Sequence, residues 1–87
     1  MPNHRRKEAS RRIARIHGHV NGIAAMLDEG RPYSEITHQI LAVRSSLDSL
    51  IQVIVDDLVE ECLVEMRAKQ GKAESLEELR KVVARIR

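Results

Sequence analysis

Between residues 33 and 66 apolar residues recur at helical spacing without a break. A helix of that length spans roughly 50 Å. It carries two adjacent apolar stripes. One is Ile36, Ile40, Val43, Leu47, Leu50 and Ile54. The other, rotated about 70°, is Ile51, Val55, Leu58, Cys62 and Met66. A helix with one neighbour needs one stripe. Two stripes therefore predict two sets of neighbours, one within the chain and one from other chains. Composition makes the same demand. The chain has 87 residues, no Phe, no Trp and a single tyrosine, Tyr33. Aromatic side chains normally supply the large buried areas of a core, and a chain this small buries a modest fraction of its surface. One cysteine cannot staple the fold. The expectation is one all-α domain over residues 1–87 that oligomerises.

Two shorter helices flank the long one. Over residues 5–27 the apolar positions Ile13, Ile16, Val20, Ile23 and Leu27 are spaced 3, 4, 3, 4, a heptad-type stripe. Gly18 and Gly22 interrupt it at some propensity cost, which predicts close backbone packing there. A turn is expected at Glu29-Gly30-Arg31-Pro32, with Pro32 in the first turn of the next helix. After the helix over 33–66, Gly71 marks another turn. Ser75 and Glu78 then read as a capping box opening a helix over 75–87, with Leu76, Leu79, Val83 and Ile86 on one side.

Charge is unevenly spread. Residues 1–16 carry Arg5, Arg6, Lys7, Arg11, Arg12 and Arg15 against Glu8 alone, while the rest of the chain is mildly acidic. A basic segment on an acidic body points to an anionic partner, with nucleic acid first. No apolar run approaches the roughly 18 residues of a membrane span. No apolar stretch follows the basic start to make a signal peptide, and a lone cysteine fits a reducing compartment. No membrane association is expected, and the expected location is cytoplasmic.

No catalytic constellation is present, so an enzyme is not expected. Asp56-Asp57 and Glu60-Glu61 read as a solvated face. His17 and His19 project about 160° apart on a helix and cannot chelate one metal together; His38 falls away from both stripes, and His4 sits near the start. Tyr33, Leu58 and Cys62 project to one side of the long helix, yet Tyr33 is roughly 37 Å from Leu58 along the axis. They can meet only if two copies of this helix run antiparallel. The crossing would fall near residues 44–48, where Ser45 and Ser46 are small, and would create two identical sites per dimer.

Two blocks then resemble a known family. Arg15-Ile16-His17-Gly18-His19 followed by Gly22-Ile23 is similar to the Arg-Ile-x-Gly-Gln-x-x-Gly-Ile signature of the CsoR/RcnR/FrmR family. Gln39-Ile40-Leu41-Ala42-Val43-Arg44 resembles its Gln-Ile-x-Ala-Val-Arg block. The resemblance implies a small all-α transcriptional repressor with three helices per chain. It implies an antiparallel four-helix-bundle dimer core, two of which form a homotetramer. Operator DNA would be bound by basic residues of the first two helices and released by an effector. Arg5, Arg6, Lys7, Arg11, Arg12, Arg15 and Arg44 are the candidates for phosphate contact. Arg44 could instead pair with Asp48, four positions on.

The family's sensing residues, a Cys, a His and a Cys, fall at Tyr33, Leu58 and Cys62, and only the last is kept. A one-residue shift in the turn would put Ser34 at the first position. Glu78 could match a family glutamate near that site. Copper(I) prefers soft ligands, so the family's copper(I) site is not preserved. The effector stays open between Cys62 alone as a thiol sensor, another transition metal held by His4, His17 or His19 with Cys62 or Glu61 across an interface, and an unrelated ligand. The alternative from another class is a non-DNA helical scaffold or a metal-handling accessory protein.

Overall fold

The computed structural model describes residues 4–68 and 74–86; the turn read at Gly71 and the side chain of His4 lie outside the described residues. Three helices follow one another: α1 (His4–Asp28), α2 (Tyr33–Arg67) and α3 (Glu74–Ile86). Each described boundary lies within one residue of its predicted place, and the described residues contain no strand.

α1 ends in a Schellman motif. Gly30 takes φ +71°, a left-handed conformation that costs a glycine little. The amides of Gly30 and Arg31 then donate to the carbonyls of Leu27 at 3.1 Å and Met26 at 3.0 Å. Pro32 is the N-cap of α2 rather than part of its first turn. Its carbonyl accepts the amides of Glu35 and Ile36. This tight reversal lays α1 antiparallel along α2.

The core is the seam between them. Ile16 and Ile23 of α1 pack with Ile36, Val43 and Leu50 of α2, and Ala9 and Met26 close its edges. On both helices these residues recur every seven positions. Gly18 and Gly22 take no part in it. A Cβ on either would meet nothing within 4 Å, so the close packing predicted there is absent among the described residues.

The two stripes of α2 are shared out differently from the expectation. In the first stripe Ile36, Val43 and Leu50 are buried, whereas Ile40, Leu47 and Ile54 are exposed. In the second, Leu58 and Cys62 are buried within the chain, because α3 packs on α2. That part of the second stripe is therefore not left to other chains. Ser75 does not cap α3. The helix begins at Glu74, and the Ser75 hydroxyl is buried without a hydrogen-bond partner among the described residues. The Ser75 amide instead donates to the Glu65 carboxylate of α2 at 3.5 Å.

The fold measures 58 × 28 × 13 Å, and its thin dimension is close to the width of one helix. Domains bury their apolar faces between at least two layers, and this chain supplies one. Ile13, Val20 and Leu27 on α1 are exposed, as are Ile40, Leu47 and Ile54 on α2. Each set is spaced by seven and lies one helical step from the seam.

Two substitutions of equal size should separate these environments. Ile36→Ala should cost about 2–5 kcal/mol in urea unfolding, the range for truncating a buried isoleucine. Ile40→Ala should act mainly through self-association, so its cost should grow with protein concentration. Equal, concentration-independent losses would contradict this division of the stripe.

Candidate functional site

The polar face of the α1–α2 hairpin holds a groove lined by Arg12, Arg15, Ile16, His19, Ser46 and Ser49. Ser46 therefore faces α1 and is not the small residue at a helix crossing between copies. His19 Nε2 donates to Gln39 Oε1 at 2.7 Å. An amide oxygen can only accept, so this nitrogen carries the proton. The bond ties the middle of α1 to the start of α2 and engages one ring nitrogen of His19, leaving Nδ1 as its acceptor.

The basic residues divide by their partners. Arg12 donates to Glu8 from Nε at 3.0 Å and from Nη2 at 2.8 Å. This hydrogen bonding, and then the charge of Arg12, hold the Glu8 carboxyl below the ordinary carboxylate range. Arg5 bridges to α2, with Asp56 at 3.9 Å and Glu60 at 3.2 Å. Arg6 lines a different cavity, described below. Lys7, Arg11 and Arg15 are exposed and form no ion pair among the described residues. Their spacing of four puts them in one row on α1. Arg44 is also exposed, and the pair with Asp48 does not form. One position on from the buried Val43, it projects about 100° round α2, in the opposite sense to Ser46. The structure does not bring Arg44 to the row on α1.

Of the residues that the resemblance assigns to sensing, Tyr33 is 82% exposed at the start of α2, while Leu58 and Cys62 retain 7% and 6% exposure near its end. One continuous helix separates them, so a single chain does not bring them together. Leu58 has no donor atom. Cys62 is a free, buried thiol. His17 is exposed. Among the described residues no group of three or more His, Cys, Asp or Glu side chains could hold a metal ion. A copper(I) or nickel site needs several converging soft or imidazole donors, and these residues do not fit one.

A cavity of about 570 Å³ lies where all three helices meet, walled by Arg6, Ile13, Ile54, Leu58, Glu61 and Val82 among others. Glu78 also lines it, as does Asp57. The acidic pairs are not uniformly solvated as expected: Asp57 is buried, Glu61 half-buried, and Asp56 and Glu60 exposed. Sequence reasoning missed Asp57, although a signal existed. It continues the seven-residue series of Ile36, Val43 and Leu50.

Comparison with known proteins agrees with this geometry. A family model described as a metal-sensitive transcriptional repressor matches residues 5–85. The copper-sensing transcriptional repressor RicR of Mycobacterium tuberculosis is 32% identical over 62 residues, covering 71% of this chain and 65% of RicR. The aligned part thus spans slightly less than two thirds of that relative's length. The nickel-responsive transcriptional regulator InrS superposes with a TM-score of 0.78 at 34% identity, covering 91% of this chain and 89% of that one.

The burial of Cys62 has a direct readout. Its reaction with a disulfide reagent should be at least about tenfold slower in the native chain than in urea, because the thiol must wait for local opening. Equal rates would mean that α3 does not cover it.

Proposed function

This chain belongs to the family of metal-sensitive transcriptional repressors, and on that premise we propose that it represses transcription by binding operator DNA as an antiparallel homodimer, paired into a tetramer. The observation that carries the DNA reading is the row of Lys7, Arg11 and Arg15. These cations are exposed on one helix and form no ion pair among the described residues, which leaves them available for phosphate contacts. Arg12 and the polar groove continue the row, with Arg12 partly neutralised by Glu8. Such contacts draw affinity from counterion release and read no bases themselves.

The homodimer reading is supported by the single-layer fold and the open row of Ile40, Leu47 and Ile54. Leu41, Val59 and Leu63 are exposed elsewhere on α2, which leaves apolar surface for pairing dimers. The effector does not use the family's three-donor metal site, because Tyr33, Leu58 and Cys62 offer one sulfur and no imidazole. The described helices include none long and apolar enough to cross a membrane.

Fluorescence anisotropy of the metal-free, reduced protein on the DNA upstream of its own gene tests this reading. Affinity should fall steeply with salt and exceed that for scrambled duplex. Arg15→Ala should weaken binding and reduce the salt slope by about 1. Glu8→Gln should strengthen binding and steepen the slope, since it frees Arg12. Absence of binding at low salt would favour a helical scaffold without DNA.

A further inference from the structure

We propose that Tyr33 of one copy seats in the cavity where the three helices of a second copy meet and donates its hydroxyl to the partner's Glu61. The proposal rests on the antiparallel dimer reading and deepens it by naming the residue that each copy lends the other.

The exposed row on α2 is self-complementary. Ile40, Leu47 and Ile54 are spaced by seven and centred on Leu47. A two-fold axis at Leu47 with antiparallel helices matches Ile40 to the partner's Ile54 and Leu47 to its own copy. Such an interface uses the same patch on both subunits. The same operation acts one step further out. Tyr33 lies seven positions before Ile40, and Glu61 lies seven after Ile54. Each is about 21 Å along the axis from Leu47, so the dyad sets them opposite each other. A parallel pairing would instead put two Tyr33 rings side by side and leave both cavities empty.

The chemistry of the two residues is complementary. Tyr33 is the protein's one aromatic ring, it is exposed, and its hydroxyl has no partner among the described residues. Glu61 is half-buried on the cavity wall. Its carboxylate has neither a hydrogen bond nor an ion pair among the described residues. A hydroxyl donating to a carboxylate makes one of the stronger hydrogen bonds. Leu58, Ile54 and Val82 supply apolar walls for the ring. Ile13 and Ile54 are exposed beside the cavity, so a copy docked on the open apolar row meets its mouth. Where the family resemblance places an effector, this protein would place its own tyrosine. A ligand entering there would have to displace Tyr33 and loosen the dimer.

With no tryptophan present, emission of the full-length protein reports on Tyr33 alone. We would measure its quenching by acrylamide across a dilution series, with molecular mass from sedimentation on the same samples. In the dimer, quenching should be severalfold weaker than for free tyrosine amide. Tyr33→Phe and Glu61→Gln should each weaken the dimer by about a hundredfold, because the two-fold axis makes each substitution remove two hydrogen bonds to a charged group, each worth about tenfold at its low end. Combining them should cost little more than either alone, as for residues in direct contact. A dimer by mass whose Tyr33 is as open to acrylamide as free tyrosine amide would overturn the seating. Additive effects would overturn the bond to Glu61. A monomer at every concentration would remove the dimer reading itself, and the proposal with it.

Discussion

The aliphatic seam between α1 and α2 is the interaction on which the rest of this structure depends. Ile16 and Ile23 meet Ile36, Val43 and Leu50, and no aromatic residue contributes. The seam holds two long helices side by side in a single layer. That arrangement creates two faces with opposite chemistry. On one, Arg12, Arg15 and His19 line a polar groove. On the other, Ile13, Val20, Ile40 and Leu47 are exposed. A layer with one wet face and one dry face is stable only when the dry face finds a second layer. Recognition of an anionic partner and self-association therefore arise from the same seam.

The charges follow a similar logic. Carboxylates from α1 and α2 neutralise Arg12 and Arg5, and exposed pairs of this kind contribute little to stability. Their effect is to decide which cations stay available. Lys7, Arg11 and Arg15 form no ion pair with those acids among the described residues. At the other end of the molecule, the positions that the family resemblance assigns to the effector offer few donors. Leu58 is an apolar wall, Cys62 is buried, and Glu61 is a half-buried acid on the cavity wall without a partner among the described residues. Such a site suits a ring with a hydroxyl better than a soft metal ion.

Much of the fold was legible in the sequence, because helix periodicity is a local property. The three helices, the turn at Gly30 and the heptad stripe of α1 all depend on residues within a few positions of one another. The split of the first α2 stripe was not legible. Ile36 and Ile40 look equivalent on a helical wheel, and only the angle at which α1 docks buries one and leaves the other open. The capping box failed for a related reason. Ser75 and Glu78 have the right spacing, but α3 meets α2 at Glu65, and the serine is buried there instead. The row of Lys7, Arg11 and Arg15 could be read from its spacing. The loss of Arg5 to Asp56 and Glu60, about fifty residues away in sequence, could not.

The sequence by itself determined the family, the helical content, the concentration of positive charge on α1 and the absence of the usual donor set at Tyr33 and Leu58. Each of these is a matter of residue type and short-range spacing. Tertiary structure alone decided which stripe is core and which is open, which arginines are paired, and that Leu58, Glu61, Glu78 and Val82 wall one cavity. Those outcomes depend on how α1 and α3 lie across α2. That placement is set by side-chain packing between distant segments, and no local pattern encodes it.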